Sequence, residues 1–138
     1  MPPSHTVKQI SPMLAVADMA ETLQFYMEVL GFGIYMESPE YSIIERNGFP
    51  IHLVKAADSS VMDAVRGHAE FYLEVSDIHS LWAHVQTFRD RSKIKDLFER
   101  EYGMTEFLIA DPNDCLVFVG ERTADIRKPG QEITNPAA

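Results

Sequence analysis

Apolar residues follow two patterns along the chain, and the same succession of patterns occurs twice. In each half, a segment with strand-like alternation leads through a Val-x-Asp sequence into a segment whose apolar residues recur at helical spacing. The aspartates of these sequences, Asp18 and Asp77, stand roughly 60 residues apart, and each is predicted to be a helix N-cap. The predicted strand and helix pairs are residues 9–16 with 19–30, and residues 70–75 with 78–88. The repeat indicates a duplicated module.

Turn signals divide the rest of each half into further strands. In the first half, Gly31 is suited to end the helix, and Asn47-Gly48 is typical of a tight hairpin turn. In the second half, residues 111–114, Asp-Pro-Asn-Asp, join two strands, whereas residues 89–103 fit either a short strand or a helical turn. The remaining predicted strands are residues 34–37, 41–46, 50–55, 105–110 and 115–121, and residues 56–67 form a linker.

This order of elements predicts an α+β fold with two βαβββ modules, at about residues 7–56 and 68–122, within a single domain. Residues 123–138, which include two prolines, are expected to form a loose tail. Side by side, the two half-sheets would form a curved mixed sheet with helices on its convex face and a trough on the other. A trough of this kind can bind a small ligand.

Sequence parity predicts which side chains face the trough, because successive residues of a strand point to opposite faces. One face is aliphatic or aromatic, as expected for packing against helices. The other face mixes polar and large apolar residues: Ser11, Met13, His52, Glu70, Tyr72, Glu74 and Phe118. A face open to water would also be mixed, but the large side chains of Met13, Tyr72 and Phe118 favour a ligand cavity.

Composition and charge narrow the possible partners. The chain has 138 residues, 46% of them hydrophobic, which is enough for a buried core. Its formal net charge of −9 disfavours nucleic acid and anionic membranes and favours a cationic or neutral small ligand, although any acidic soluble protein would share that charge. The single cysteine, Cys115, excludes an intramolecular disulfide and favours a cytoplasmic location. No segment has the length of a membrane span, and residues 1–9 lack the apolar core of a signal peptide.

Four segments carry a family pattern. They read Leu-Ala-Val-Ala-Asp at residues 14–18, Phe-Tyr-Met-Glu-Val-Leu-Gly-Phe at 25–32, Leu-Glu-Val-Ser-Asp-Ile at 73–78, and Tyr-Gly-Met-Thr-Glu-Phe at 102–107 with Asp-Pro-Asn at 111–113. In this order the segments resemble the vicinal oxygen chelate superfamily, which includes glyoxalases, extradiol dioxygenases and bleomycin-resistance proteins. The Gly-Met-x-Glu-Phe sequence before Asp-Pro is most similar to the bleomycin-resistance branch. The chain departs from that pattern at Asp114 and Cys115, where the family usually has Gly and Asn.

The resemblance implies where a metal would bind. Metal-using members take ligands from one position on each of the first, fourth, fifth and eighth strands. The matching positions are Ser11, His52, Glu70 and Phe118. Phe118 has no ligand atom, and Ser11 is a poor ligand for a divalent ion at neutral pH. The two remaining candidates, His52 and Glu70, fall short of the three protein ligands that catalytic sites use, so we expect neither a metal nor another cofactor.

The resemblance also implies a homodimer whose ligand lies in grooves shared between the subunits. In that branch, aromatic rings stack on planar groups of the ligand, and the matching positions here are Tyr35, Tyr41 and Tyr102. We therefore expect a protein that sequesters a cationic or aromatic, antibiotic-like small molecule without catalysis. The candidate ligand-binding residues are Met13, Tyr35, Tyr41, His52, Glu70, Tyr72, Tyr102 and Phe118.

Two other functions stay open from the sequence. One is a metal-dependent, glyoxalase-like lyase or dioxygenase that uses His52 and Glu70. The other is a dimeric interaction partner whose trough is filled by its own side chains. Three roles fit His52: a wall histidine bonded to a neighbour such as Glu70, a metal ligand, or a base oriented by that carboxylate.

Overall fold

Two compact units make up the chain in the computed structural model, which describes residues 1–126. The first module comprises residues 1–66, and the second module comprises the residues from 67 onward. Each module has its own four-stranded mixed sheet and the element order that the sequence predicts. The α+β class and the two βαβββ modules are therefore confirmed.

The elements of the first module are β1 (Met13–Val16), α1 (Met19–Glu28), β2 (Gly33–Met36), β3 (Tyr41–Arg46), β4 (Phe49–Lys55) and α2 (Ser59–Val65). The strand order in the sheet is β1-β4-β3-β2, with β1 parallel to β4 and the other neighbours antiparallel. The first strand is shorter than predicted, because it begins at Met13 and not at residue 9. The predicted linker contains the short helix α2.

The elements of the second module are β5 (Glu70–Glu74), α3 (Ile78–Val85), β6 (Ile94–Glu99), β7 (Met104–Ala110) and β8 (Leu116–Arg122). A short 3-10 turn, Gln86–Phe88, extends α3 to the predicted end of the helix. The strand order is β5-β8-β7-β6, with β5 parallel to β8, which repeats the topology of the first module. The segment that the sequence left ambiguous supplies the edge strand β6.

The predicted alternation of faces is confirmed for β1, β4 and β8, whereas on β5 the predicted helix-packing residues Phe71 and Leu73 are half-buried. The residues assigned to the helix-packing face of three strands are all buried: Leu14, Val16, Ile51, Leu53, Val117 and Val119. On the opposite face, the side chains of Met13 and Tyr72 are 64% and 46% exposed. Alternation within each strand thus separates the core from a face that is available to a ligand.

The two predicted helix caps have different outcomes. Asp18 caps α1, because its Oδ1 accepts a hydrogen bond from the backbone N–H of Glu21 at 3.0 Å. Asp77 occupies the predicted N-cap position of α3, but its side chain does not cap the helix. Asp77 is left-handed (φ 59°, ψ 49°) and makes no side-chain cap bond. The buried carboxylate of Glu121, on β8, instead accepts the backbone N–H groups of Asp77 at 3.2 Å and of Ile78 at 3.0 Å, which satisfies the first donors of α3.

The tight turns follow the sequence signals. Asn47 and Gly48 both have positive φ (54° and 83°), as the turn between β3 and β4 requires. In the β7–β8 hairpin, Asp111 Oδ1 accepts the backbone N–H groups of Asn113 at 2.7 Å and Cys115 at 3.0 Å. Asp114, at the position where the related family usually has glycine, is also left-handed with φ 58°. Aspartate tolerates this conformation better than most residues, so the departure keeps the turn.

The predicted loose tail starts with an ordered segment. Thr123–Asp125 forms a 3-10 turn, and the backbone N–H of Thr123 donates to the carbonyl of Gly103 at 2.9 Å. The rest of the tail prediction, residues 127–138, lies outside the described residues. Within the described part, none of the helices has the length and apolar character needed to cross a membrane.

Candidate functional site

A cavity of about 410 Å³ opens on the second module. Its lining consists of two carboxylates, one guanidinium and four aromatic rings: Glu70, Glu106, Arg100, Phe71, Tyr72, Tyr102 and Phe118. Four of these residues are among the ligand-binding candidates from the sequence: Glu70, Tyr72, Tyr102 and Phe118. The structure therefore brings half of the predicted candidates to one place.

The centre of this cavity is the carboxylate of Glu106. Its side chain is buried, with the residue 3% exposed, yet it accepts three hydrogen bonds. The Tyr72 hydroxyl donates to Oε2 at 2.6 Å, and the Tyr102 hydroxyl donates to Oε1 at 2.6 Å. Arg100 forms an ion pair through its Nε, 3.2 Å from Oε1. A buried carboxylate is tolerated only with such partners, so the four residues form one interdependent cluster.

Gly120 makes the Tyr72–Glu106 contact possible. In the sheet, β8 lies between β5 and β7, and Gly120 pairs with both Glu74 and Glu106. The phenol of Tyr72 lies across β8 at this point. A Cβ atom on residue 120 would stand 1.8 Å from the Tyr72 hydroxyl oxygen, closer than any non-bonded contact permits. Glycine is therefore required here because of close approach.

The turn between β6 and β7 supplies the other two partners of Glu106. The backbone N–H of Gly103 donates to the Arg100 carbonyl at 3.1 Å, and Gly103 has φ +87°. Tyr102 lies within this turn and is 62% exposed, so its ring has one side towards solvent. The guanidinium carbon of Arg100 lies 4.1 Å from the ring centroid of Phe98, an arrangement that favours a fixed side chain.

The protonation states follow from these contacts. Burial raises the pKa of Glu106, but the hydrogen bonds from Tyr102, Tyr72 and Arg100 outweigh burial, and the net pKa is lowered. Burial and then the hydrogen bond to Glu106 raise the pKa of Tyr72. The pKa of Tyr102 is raised chiefly by its hydrogen bond to Glu106. At neutral pH the cluster thus contains an ionised carboxylate and two phenols that keep their protons.

Four predicted ligand-binding residues belong to the first module: Met13, Tyr35, Tyr41 and His52. The hydroxyl of Tyr41 is hydrogen-bonded to Nδ1 of His52, and the two rings meet edge-on with centroids 5.6 Å apart. Met13 pairs with His52 across the parallel strands β1 and β4. Tyr35 lies on the edge strand β2, where the register with β3 shifts, and its side chain is exposed. The hydrogen-bond partner of His52 within its module is therefore a tyrosine and not a carboxylate.

Within each module, the expected metal positions supply one usual ligand residue: His52 in the first module and Glu70 in the second. Phe118 has no ligand atom, and Nδ1 of His52 is engaged by Tyr41. Among residues 1–126, no group of three or more His, Cys, Asp or Glu side chains could hold a metal ion.

Sequence reasoning missed Arg100, Glu106 and Gly120. Glu106 lies in a segment that carries the family pattern, and its parity on β7 places it on the face of Tyr72 only when the register of the β7–β8 hairpin is known. Arg100 lies in the segment of ambiguous secondary structure, where no pattern assigned a face. The remaining reactive group, the Cys115 thiol, is buried, and burial raises its pKa to about 12, so it stays protonated.

Comparisons with known proteins show the family to which this chain is similar. Residues 4–118 match the family described as the Glyoxalase/Bleomycin resistance protein/Dioxygenase superfamily. Bleomycin resistance proteins of Geobacillus stearothermophilus and Staphylococcus aureus are 23% identical over 122 residues, covering 79% of this chain and 92% of theirs.

Solved structures with a similar fold include both binding proteins and enzymes. A bleomycin-binding protein complexed with bleomycin has a TM-score of 0.69 and 21% identity, covering 83% of this chain and 98% of its own. A glyoxalase-related enzyme from Clostridium phytofermentans has a TM-score of 0.71 and 18% identity, covering 88% and 99%. A lactoylglutathione lyase from Agrobacterium tumefaciens has a TM-score of 0.67 and 19% identity, covering 87% and 95%. At these identities the likeness shows the fold alone.

Proposed function

The chain belongs to the glyoxalase/bleomycin resistance protein/dioxygenase superfamily, and from this premise we propose that it sequesters a small antibiotic-like molecule without catalysis or metal. Its relatives support the bleomycin-resistance-like branch, in agreement with the resemblance of the sequence. The proposed ligand is cationic or aromatic and lies in a groove at a homodimer interface. The cytoplasm is the proposed location.

The observation that carries this proposal is the lining of the second-module cavity. Tyr72, Tyr102 and Phe118 offer flat rings on which a planar ligand can stack. Glu70 also lines the cavity and is exposed, and its side chain has no hydrogen bond or ion pair within residues 1–126, so its charge is available to a ligand cation. By contrast, the Glu106 carboxylate accepts hydrogen bonds from Tyr72, Arg100 and Tyr102, so its proposed role is to hold the binding site together and not to bind the ligand.

Homodimerisation is proposed to complete the groove. The edge strand β2 exposes Ile34, Tyr35 and Met36, and an unpaired apolar edge is suited to association with another chain. Met13, Tyr41 and His52 remain proposed ligand contacts from the first module. Light scattering after size-exclusion chromatography should give the mass of a dimer, and a mass of 15.6 kDa would contradict this part of the proposal.

A thermal-shift screen of the purified protein tests the function. The probes are metal-free bleomycin, the divalent metals zinc, nickel, manganese and iron, and the methylglyoxal–glutathione adduct. We expect stabilisation by bleomycin without added metal, and loss of that stabilisation in Tyr72→Ala. Stoichiometric metal in the purified protein, or a shift with metal only, would contradict the proposal and favour a lyase or dioxygenase that uses His52 and Glu70.

A further inference from the structure

We propose that the second-module cavity selects an aromatic zwitterion, with an anionic group on the terminal amino groups of Arg100 and a cationic group on Glu70. This inference rests on the proposed function and defines the ligand class of the same site. It departs from a purely cationic ligand because the cavity contains a guanidinium as well as carboxylates.

The geometry of Arg100 carries the anionic half of the inference. Its ion pair with Glu106 uses Nε, 3.2 Å from the carboxylate oxygen, and its guanidinium carbon lies 4.1 Å from the ring centroid of Phe98. The two terminal amino groups have no hydrogen-bond or ion-pair partner within residues 1–126. A guanidinium fixed in this way presents donors in a planar fork that matches a carboxylate. Arg100 lines the cavity, so an anionic ligand group can reach that fork.

The charge balance of the lining argues against an anion alone. Glu70 and Glu106 are two carboxylates against the single guanidinium of Arg100, so the lining is net negative. A purely anionic ligand would therefore meet repulsion, and a purely cationic one would leave the donors of Arg100 unused. A ligand with both charges satisfies both groups.

The sheet register separates Glu70 from Glu106, the ion-pair partner of Arg100. Glu70 pairs with Leu116, whereas Glu106 pairs with Gly120, four residues further along the same strand. At about 3.3 Å per residue, these rows are about 13 Å apart. The Tyr72–Phe118 pair lies between them and forms an aromatic floor. The ligand should therefore have opposite charges at the two ends of an aromatic body.

Three matched probes test this arrangement by isothermal titration calorimetry. The zwitterion is 4′-(aminomethyl)biphenyl-4-carboxylate, its methyl ester has only the cation, and its N-acetyl derivative has only the anion. We expect the zwitterion to bind the wild-type protein at least about tenfold more tightly than either derivative, because each derivative loses one charge-assisted contact.

Single substitutions separate the two ends of the site. Arg100→Lys keeps a positive charge beside Glu106 but removes the fork, so it should lower the affinity for the zwitterion about tenfold and leave the methyl ester unchanged. Glu70→Gln should weaken the zwitterion and the ester and spare the N-acetyl derivative. The matched control is Arg122→Lys, at an exposed arginine that pairs with Asp125 away from the cavity lining, and it should change none of the three affinities. Denaturation curves verify that Arg100→Lys is folded.

The outcomes distinguish this inference from the proposed function. If the methyl ester binds as tightly as the zwitterion, or if Arg100→Lys weakens both equally, the zwitterion inference is overturned while sequestration of a cation stands. If no probe binds but metal-free bleomycin stabilises the protein, the inference is again overturned and the proposed function stands. If neither the probes nor bleomycin bind, both fail.

Discussion

The two modules place different side chains at equivalent positions of the same scaffold. In each module, two residues pair across the parallel strands, which are β1 and β4 or β5 and β8. Two positions further along β4 or β8 stands a residue that pairs with β3 or β7. The equivalent residues are Met13, His52, Val54 and Tyr41 in the first module, and Tyr72, Phe118, Gly120 and Glu106 in the second. The first set contains one hydrogen-bonded Tyr41–His52 pair, and the second contains a buried carboxylate with three donors.

A glycine on the central strand is one requirement of the network in the second module. At residue 120 the absence of a side chain lets the Tyr72 phenol cross β8 and reach Glu106. The first module has Val54 at that position and Met13, which has no hydroxyl, at the position of Tyr72. Its Tyr41 stands at the position of Glu106 and bonds to His52 on the neighbouring strand. A duplicated sheet can thus acquire a charged cavity in one copy through a glycine, a tyrosine and a glutamate.

The largest effect is expected from Gly120→Val, which gives the second module the residue of the first. The new side chain would displace the Tyr72 phenol and leave Glu106 with one donor fewer. Overpacking and the loss of a charge-assisted hydrogen bond together should lower the free energy of unfolding by about 3 kcal/mol, measured by urea denaturation. In a Tyr72→Ala background the same substitution should be much less destabilising. Equal losses in both backgrounds would refute the close-approach explanation.

Glu106→Gln should have the next largest effect. The amide keeps the shape of the carboxylate but loses its charge, so the contacts with Arg100, Tyr72 and Tyr102 weaken together. We expect a loss of about 2 kcal/mol in the free energy of unfolding. Glu99→Gln, on the neighbouring exposed strand, is the control and should change stability by less than about 0.5 kcal/mol. A neutral result for Glu106→Gln would show that the cluster does not stabilise the module.

The stability of the protein at low pH should also depend on the Glu106 carboxylate. The pKa of Glu106 is lowered in the folded protein from its ordinary value of 4.5, so its ionised form stabilises the fold above that pH. This contribution is lost as the pH falls through the folded-state pKa. The stability of the wild type should therefore decrease more steeply below about pH 4.5 than that of Glu106→Gln. Parallel pH profiles for the two proteins would be inconsistent with a lowered pKa.

The smallest effects compare the two tyrosines directly. Tyr72→Phe removes a hydrogen bond to an ionised group and should destabilise by about 1.5 kcal/mol, whereas Tyr41→Phe removes one to histidine and should cost roughly half as much. Both replacements keep the ring, so denaturant midpoints report the hydroxyls alone. A larger loss for Tyr41→Phe would reverse the ranking of the two networks.

Features that depend on residues close together in the chain could be predicted from the sequence, and features that depend on distant residues could not. Asn47-Gly48 and the Asp18 cap involve neighbours in the chain, and both are confirmed. Asp77 is at the predicted N-cap position, but the capping hydrogen bonds come from a distant carboxylate, Glu121, which no local pattern indicates. The strand faces followed from parity, which needs no partner strand.

The candidate site was only half predictable because its centre depends on strand pairing. Tyr72 and Phe118 are large residues at trough-facing positions, so parity was enough to find them. Arg100 and Glu106 meet only after β6 and β7 pair with a register shift between Lys95 and Phe98, which no local pattern encodes. Gly120 shows its role only through the position of the Tyr72 hydroxyl.

The most direct test of ligand binding in the second module is amide chemical-shift mapping with metal-free bleomycin. On titration, we expect the largest changes on β5 and on the turn at Arg100 and Tyr102, with smaller changes in the first module. Changes confined to the first module, or none at saturating ligand, would contradict it.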